Sequence, residues 1–147
     1  MSNNTMTFFY RISSGSIPAS GSIVTTLTLQ SDSKFRLDYI YGRSTSEQLN
    51  SNWPLSNSGA GPSGGVITQV HYPNWFEVQI QNQSTGRYLS NLRIPQALIC
   101  APSDQVAPER MSEIFDETTV LQFDFLNLDP NNANTVDLVL KGYKLFL

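Results

Sequence analysis

Hydrophobic side chains recur at every second position in segment after segment of this chain. Phe35, Leu37, Tyr39 and Tyr41 alternate with Arg36, Asp38 and Ile40, and Phe76, Val78 and Ile80 with Glu77 and Gln79. Leu121, Phe123 and Phe125 alternate with Gln122 and Asp124, and Val136, Leu138 and Leu140 with Asp137 and Val139. A period of two lines up one set of side chains on one face of a strand. The pattern predicts an all-β domain whose sheets each bury one face and wet the other.

Turn residues divide the chain into about eight strands. Thr5–Ile12 is the first, and its consecutive Phe8, Phe9 and Tyr10 break the alternation. Residues 1–12 therefore read as an edge strand or as an arm that packs on a neighbouring subunit, the ordinary strand being preferred. A Ser/Gly/Pro loop over 13–21 leads to strands at Ile23–Leu29 and Phe35–Tyr41. Residues 42–65 form the longest irregular stretch, with Trp53 inside it as a partner anchor or a lid on the core. Further strands are expected at Val66–Val70, Trp75–Gln81 and Arg87–Ile94, with a short buried one at Ala97–Ala101. Leu121–Leu128 and Val136–Leu147 complete the set. In the last segment Leu138 and Leu140 lie on even positions, but Tyr143 and Leu145 on odd ones. A bulge at Gly142 would return both pairs to the core. About eight strands with some long connections predict a single domain over 1–147, a two-sheet antiparallel sandwich of jelly-roll type.

Composition narrows the function classes. Charged residues are 14% of the 147, against about 25% in ordinary soluble proteins. Ser, Thr, Asn and Gln must supply the polar surface, which suits equally a protein packed against neighbours and a monomeric β domain. Nine Lys and Arg against twelve Asp and Glu leave a net charge of −3. No basic run appears, which argues against nucleic acid as a partner. The single cysteine, Cys100, allows no internal disulfide and reads as core filling. No charged-then-apolar leader opens the chain and no apolar run reaches membrane-spanning length.

Candidate chemistry is sparse. Gly61-Pro62-Ser63-Gly64-Gly65 matches the serine-hydrolase elbow in letters only, since a loop precedes it and a β-rich stretch follows. His71, the only histidine, and Cys100 cannot make a zinc site. Asp129–Asn134 is faintly like a calcium loop but lacks its glycine and distal glutamate, and reads as a turn. Asp116 and Glu117 are adjacent and would face opposite ways on a strand. No enzyme, metal or cofactor is expected. Trp53, Tyr72 and Trp75 offer an aromatic platform for sugar, as jelly rolls serve in lectins and carbohydrate-binding modules.

The C-terminal part carries an order of pieces with a counterpart elsewhere. Leu92-Arg93-Ile94-Pro95 precedes Ala97-Leu98-Ile99-Cys100, Pro108-Glu109-Arg110-Met111, Ile114-Phe115 and the strand from Thr118 to Leu128. The chain closes with Val136-Asp137-Leu138-Val139-Leu140-Lys141-Gly142-Tyr143-Lys144-Leu145-Phe146. Over about residues 88–147 this resembles the small β-sandwich virion proteins of tailed bacteriophages, closest to capsid cement or decoration proteins. The resemblance implies a jelly roll on the capsid surface of a virion, assembled in the host cytoplasm. Its partners would be the major capsid protein and copies of itself, a trimer being one form. Neck, tail and fibre positions on a particle, and a carbohydrate-binding module, stay open as alternatives. The contact elements expected are Phe8, Phe9 and Tyr10 together with Trp53 and its loop.

Overall fold

A computed structural model of the chain describes residues 4–46, 74–100 and 110–146. Nine strands are found among them: β1 (Asn4–Ile17), β2 (Ser22–Thr28), β3 (Lys34–Ser44), β4 (Phe76–Asn82), β5 (Arg87–Tyr88), β6 (Ile94–Pro95), β7 (Glu113–Phe115), β8 (Val120–Asn127) and β9 (Asn134–Phe146). One sheet has the order β1-β9-β3-β7. The other has the order β2-β8-β4-β5, with β6 also pairing on β4. Every pairing within the two sheets is antiparallel. Chain-order strands alternate between the sheets from β1 to β4, and β8 and β9 return to lie second in each. This is the jelly-roll arrangement expected from the alternation.

Inward side chains of both sheets fill the space between them. Tyr10, Ile12, Phe35, Leu37, Ile40, Val136, Leu138 and Leu140 come from the first sheet. Phe76, Val78, Ile80, Leu121, Phe123 and Phe125 come from the second. Phe8, Tyr10 and Phe35 form an edge-to-face chain with ring centroids 4.9 Å apart at each step, a favoured aromatic geometry. Cys100 is buried as expected and bridges to Ile40.

Four elements depart from the sequence pattern. β1 runs through the predicted loop as far as Ile17, with a register shift between Ser13 and Ser16. Residues 96–99 form a single helical turn, α1 (Gln96–Ile99), rather than a strand. The return arm after β4 pairs only at Arg87–Tyr88 and again at Ile94–Pro95. The bulge lies on β3 and not at Gly142. Leu37 pairs with Gly142 and Tyr39 with Lys141, leaving Asp38 as the extra residue.

The bulge resets the phase of β3. Ile40 enters the core, while Tyr39 and Tyr41 turn to the outer face, contrary to the alternation read from Phe35 to Tyr41. β9 keeps a single phase, so Tyr143 and Leu145 stay outside and Lys144 takes the inward position. A buried ammonium needs partners. The Lys144 amine donates to both Asp32 oxygens, at 2.8 and 3.0 Å, and to Gln30 Oε1, and it lies 4.2 Å from the Phe8 ring centroid.

The hydrogen bond from Lys144 holds the Asp32 carboxyl below its ordinary value. Backbone donation from Asn131, helped by Ser46 and Asn132, does the same for Asp129. A carboxylate depressed in the folded state contributes stability above its unfolded value and loses it as pH falls through the folded one. The melting temperature should therefore hold from about pH 7 to about pH 5 and drop below about pH 4. Asp32→Asn, on a half-exposed side chain, should make that acid limb shallower in a pH series of thermal melts.

Candidate docking face

The outer face of the β1-β9-β3-β7 sheet assembles residues that lie far apart in the chain. Register places Phe9, Lys141 and Tyr39 in one row across β1, β9 and β3. Arg11, Val139 and Tyr41 form the next row, and Ser13, Asp137 and Arg43 the one beyond. On the other side lie Thr7, Tyr143 and Arg36, with Ile114 of β7 alongside, and then Thr5, Leu145 and Lys34. Phe9 is 55% exposed, Ile114 57% and Tyr41 37%.

Five of the nine basic residues therefore share one face: Arg11, Lys34, Arg36, Arg43 and Lys141. Three are already paired. Arg11 lies 3.3 Å from Asp137, and Lys34 3.3 Å from Asp116. Arg36 Nη2 donates to Oδ2 of the buried Asp38 at 3.1 Å, and its Nε lies 3.1 Å from Oδ1 as an ion-pair contact. The same guanidinium sits 4.8 Å from the centroid of the Tyr143 ring, a cation–π distance. Arg43 and Lys141 have no carboxylate partner among the described residues. The bulge creates this constellation twice over. It supplies Asp38 to hold Arg36 and Arg110 (3.6 Å), and it turns Tyr39 and Tyr41 outward.

The arrangement gathers aromatic side chains and arginines on one face. Aromatic side chains and arginine are enriched in interface cores, where they bury large areas at small entropy cost. Most of the cationic charge is matched, so the face presents oriented donors and ring surfaces rather than a strong field.

The expected contact residues separate. Phe9 alone of its trio is exposed. Phe8 is half-buried against the core. Tyr10 is 7% exposed, and its hydroxyl accepts from the Gln30 N–H at 2.9 Å. Their adjacency in sequence obscured an ordinary alternation, with Phe8, Tyr10 and Ile12 inward. Trp53 and Tyr72 lie outside the described residues, as do His71 and the Gly61–Gly65 match. Trp75 stands just before β4, half-buried, its backbone N–H donating to Gln96 Oε1 at 2.9 Å. Tyr39, Tyr41 and Tyr143 were missed as surface residues. The available signal was Ile40, an isoleucine on the polar phase of its strand.

The polar turn after β8 is a structural knot. Asp129 Oδ1 accepts from the N–H groups of Asn131 and Asn132, and Oδ2 from Ser46 Oγ and Asn132 Nδ2. Donors surround this carboxylate, which is the wrong chemistry for a cation. A polar cleft of about 440 Å³ at the β4–β5 and β7–β8 turns includes Glu113, Asp116 and Glu117. No cluster of three His, Cys, Asp or Glu among the described residues is placed to hold a metal ion.

Comparison with protein-family models, curated proteins and solved structures finds no match for this chain.

Proposed function

We propose that this protein is a structural component of a bacteriophage particle, one that docks on the capsid shell and stabilises it. The observation that carries the reading is the outer face of the first sheet. It is rich in tyrosine and arginine, which three adjoining antiparallel strands bring together. The sequence resemblance to cement proteins supports the same conclusion. The mechanism is linkage: a ligand that binds the assembled shell and not its separated subunits shifts the equilibrium toward the shell. The major capsid protein is the partner. A face with two unmatched cations, Arg43 and Lys141, fits a shell surface of net acidic character.

Co-sedimentation with shells built from the major capsid protein tests this. Phe9→Ser with Tyr41→Ser removes two exposed rings and leaves the core intact. Binding should weaken by at least about tenfold, the scale of a single interface anchor, with an unchanged thermal melt. Wild-type binding by this double variant would overturn the docking face.

A second reading, a carbohydrate-binding module, draws on the outer face of the other sheet. Glu77 and Gln79 point outward from β4 beside Asp124 of β8, and Arg93 spans both Asp124 oxygens at 3.0 and 3.1 Å. Trp75 falls in phase with Glu77 and Gln79. Carboxylate, amide and guanidinium groups in fixed positions match sugar hydroxyls. Glycan-array binding that disappears with Glu77→Ala would favour this reading, and silence across the array would count against it.

A further inference from the structure

The two sheets have four edges, and they differ sharply in length. β7 has three residues, β5 two and β2 seven, whereas β1 has 14. An exposed long edge is a template for another strand, and natural sheets blunt such edges with proline, lysine, bulges or covering segments. Among the described residues β1 carries none of these over residues 4–12. It holds no proline or lysine, and its only charge, Arg11, is turned toward Asp137 of the neighbouring strand. Its register shift lies beyond, between Ser13 and Ser16. Apart from the ladder to β9, the backbone of residues 4–12 makes no hydrogen bond among the described residues. Two large apolar side chains of this segment stand in solvent on opposite sides of the strand, Met6 at 46% and Phe9 at 55% exposure.

We propose that a second copy of this chain pairs on β1, antiparallel, across a two-fold axis near Phe8 and Phe9. The two four-stranded sheets then join into one continuous sheet. The segment is self-complementary, as such an axis requires. A centre at Phe8 sets Arg11 opposite Thr5 of the other copy, and a centre at Phe9 sets it opposite Thr7. In neither case does a charge meet its like. Threonine and aromatic side chains then face each other across the new pair, combinations that stabilise neighbouring strands. Nine residues give a seam of about 30 Å. The docking faces of the two copies become coplanar, doubling the contact that one assembly offers a partner. The inference concerns the isolated chain and does not depend on which partner that face meets.

Sedimentation velocity of the full chain over a concentration series tests it. The wild type should sediment as a dimer. Phe9→Lys and Thr7→Lys each place like charges near the axis on exposed positions, and each should give a monomer where the wild type is dimeric, with unchanged circular dichroism. Ile114→Lys, on the opposite edge of the same sheet, should stay dimeric. A wild-type monomer at every concentration would overturn the proposal. So would a dimer or trimer that persists in both β1 variants.

Discussion

Replacing Gly142 by alanine is expected to unfold the protein at temperatures where the parent is native. A Cβ at this position would lie 1.8 Å from the Arg36 carbonyl oxygen, 2.8 Å from its carbon and 2.9 Å from the Phe35 ring. The first two are backbone atoms of β3 in the middle of a ladder, so no rotamer change relieves the clash. Relief requires β3 to move off β9 just where the Asp38 bulge sets its register. That would disturb Phe35, Leu37 and the Arg36–Asp38 pair together. Overpacking a core costs about 1–3 kcal/mol when side chains can give way. Here the cost should exceed about 3 kcal/mol, a fall in melting temperature of roughly 10 °C for a chain this long. A urea or thermal melt of Gly142→Ala against Gly42→Ala compares backbone obstruction with obstruction by side chains, since Gly42 would meet Leu138, Cys100 and Phe76 side-chain atoms. The Gly142 variant should be the less stable of the two.

Asn127→Ala is the second large effect. Asn127 is 1% exposed and ties the β1–β2 and β8–β9 connections together at one end of the sandwich. Its Nδ2 donates toward the carbonyls of Ile17, Pro18 and Asn132 at 3.3, 3.1 and 3.0 Å. Its Oδ1 accepts from the Asp129 N–H at 2.9 Å and from Asn134 Nδ2 at 3.3 Å. Asn134 carries the network on to Thr45, Ser46 and the Trp75 carbonyl. Alanine strands buried backbone groups of the β1–β2 and β8–β9 connections, each costing about 1–3 kcal/mol if unsatisfied. A loss of roughly 3 kcal/mol is expected in chemical denaturation. Hydrogen exchange should quicken first at residues 17–21 and 128–134, ahead of the core of β8. A loss spread evenly over the molecule would show that the network does not act locally.

The sandwich was legible because antiparallel sheets with one wet face write a period of two into the chain. β4 and β8 follow it without interruption and were placed to within a residue or two. What the pattern concealed has one physical source. A bulge changes the phase of its strand without marking the sequence, and a glycine at a phase break points equally to either strand of the pair. Gly142 did mark the irregularity, but through the closeness of β3, which carries the extra residue. The inward Lys144 and the outward Tyr39, Tyr41 and Tyr143 follow from that single displacement. The candidate docking face was illegible for a second reason. Its cations are spaced along three strands and become neighbours only through register, so no run or local motif announces them. Phe9 was visible as a contact candidate, but its neighbours Phe8 and Tyr10 could not be told apart from it until β1 was placed beside β9.

The proposed place on the shell of a virus particle is tested most directly by the copy number of this chain in purified particles from its source, measured by quantitative mass spectrometry against the major shell protein. Near-stoichiometric abundance is expected. A handful of copies would contradict a role on the shell and point to a neck, tail or fibre. Absence from the particles would contradict the virion reading altogether.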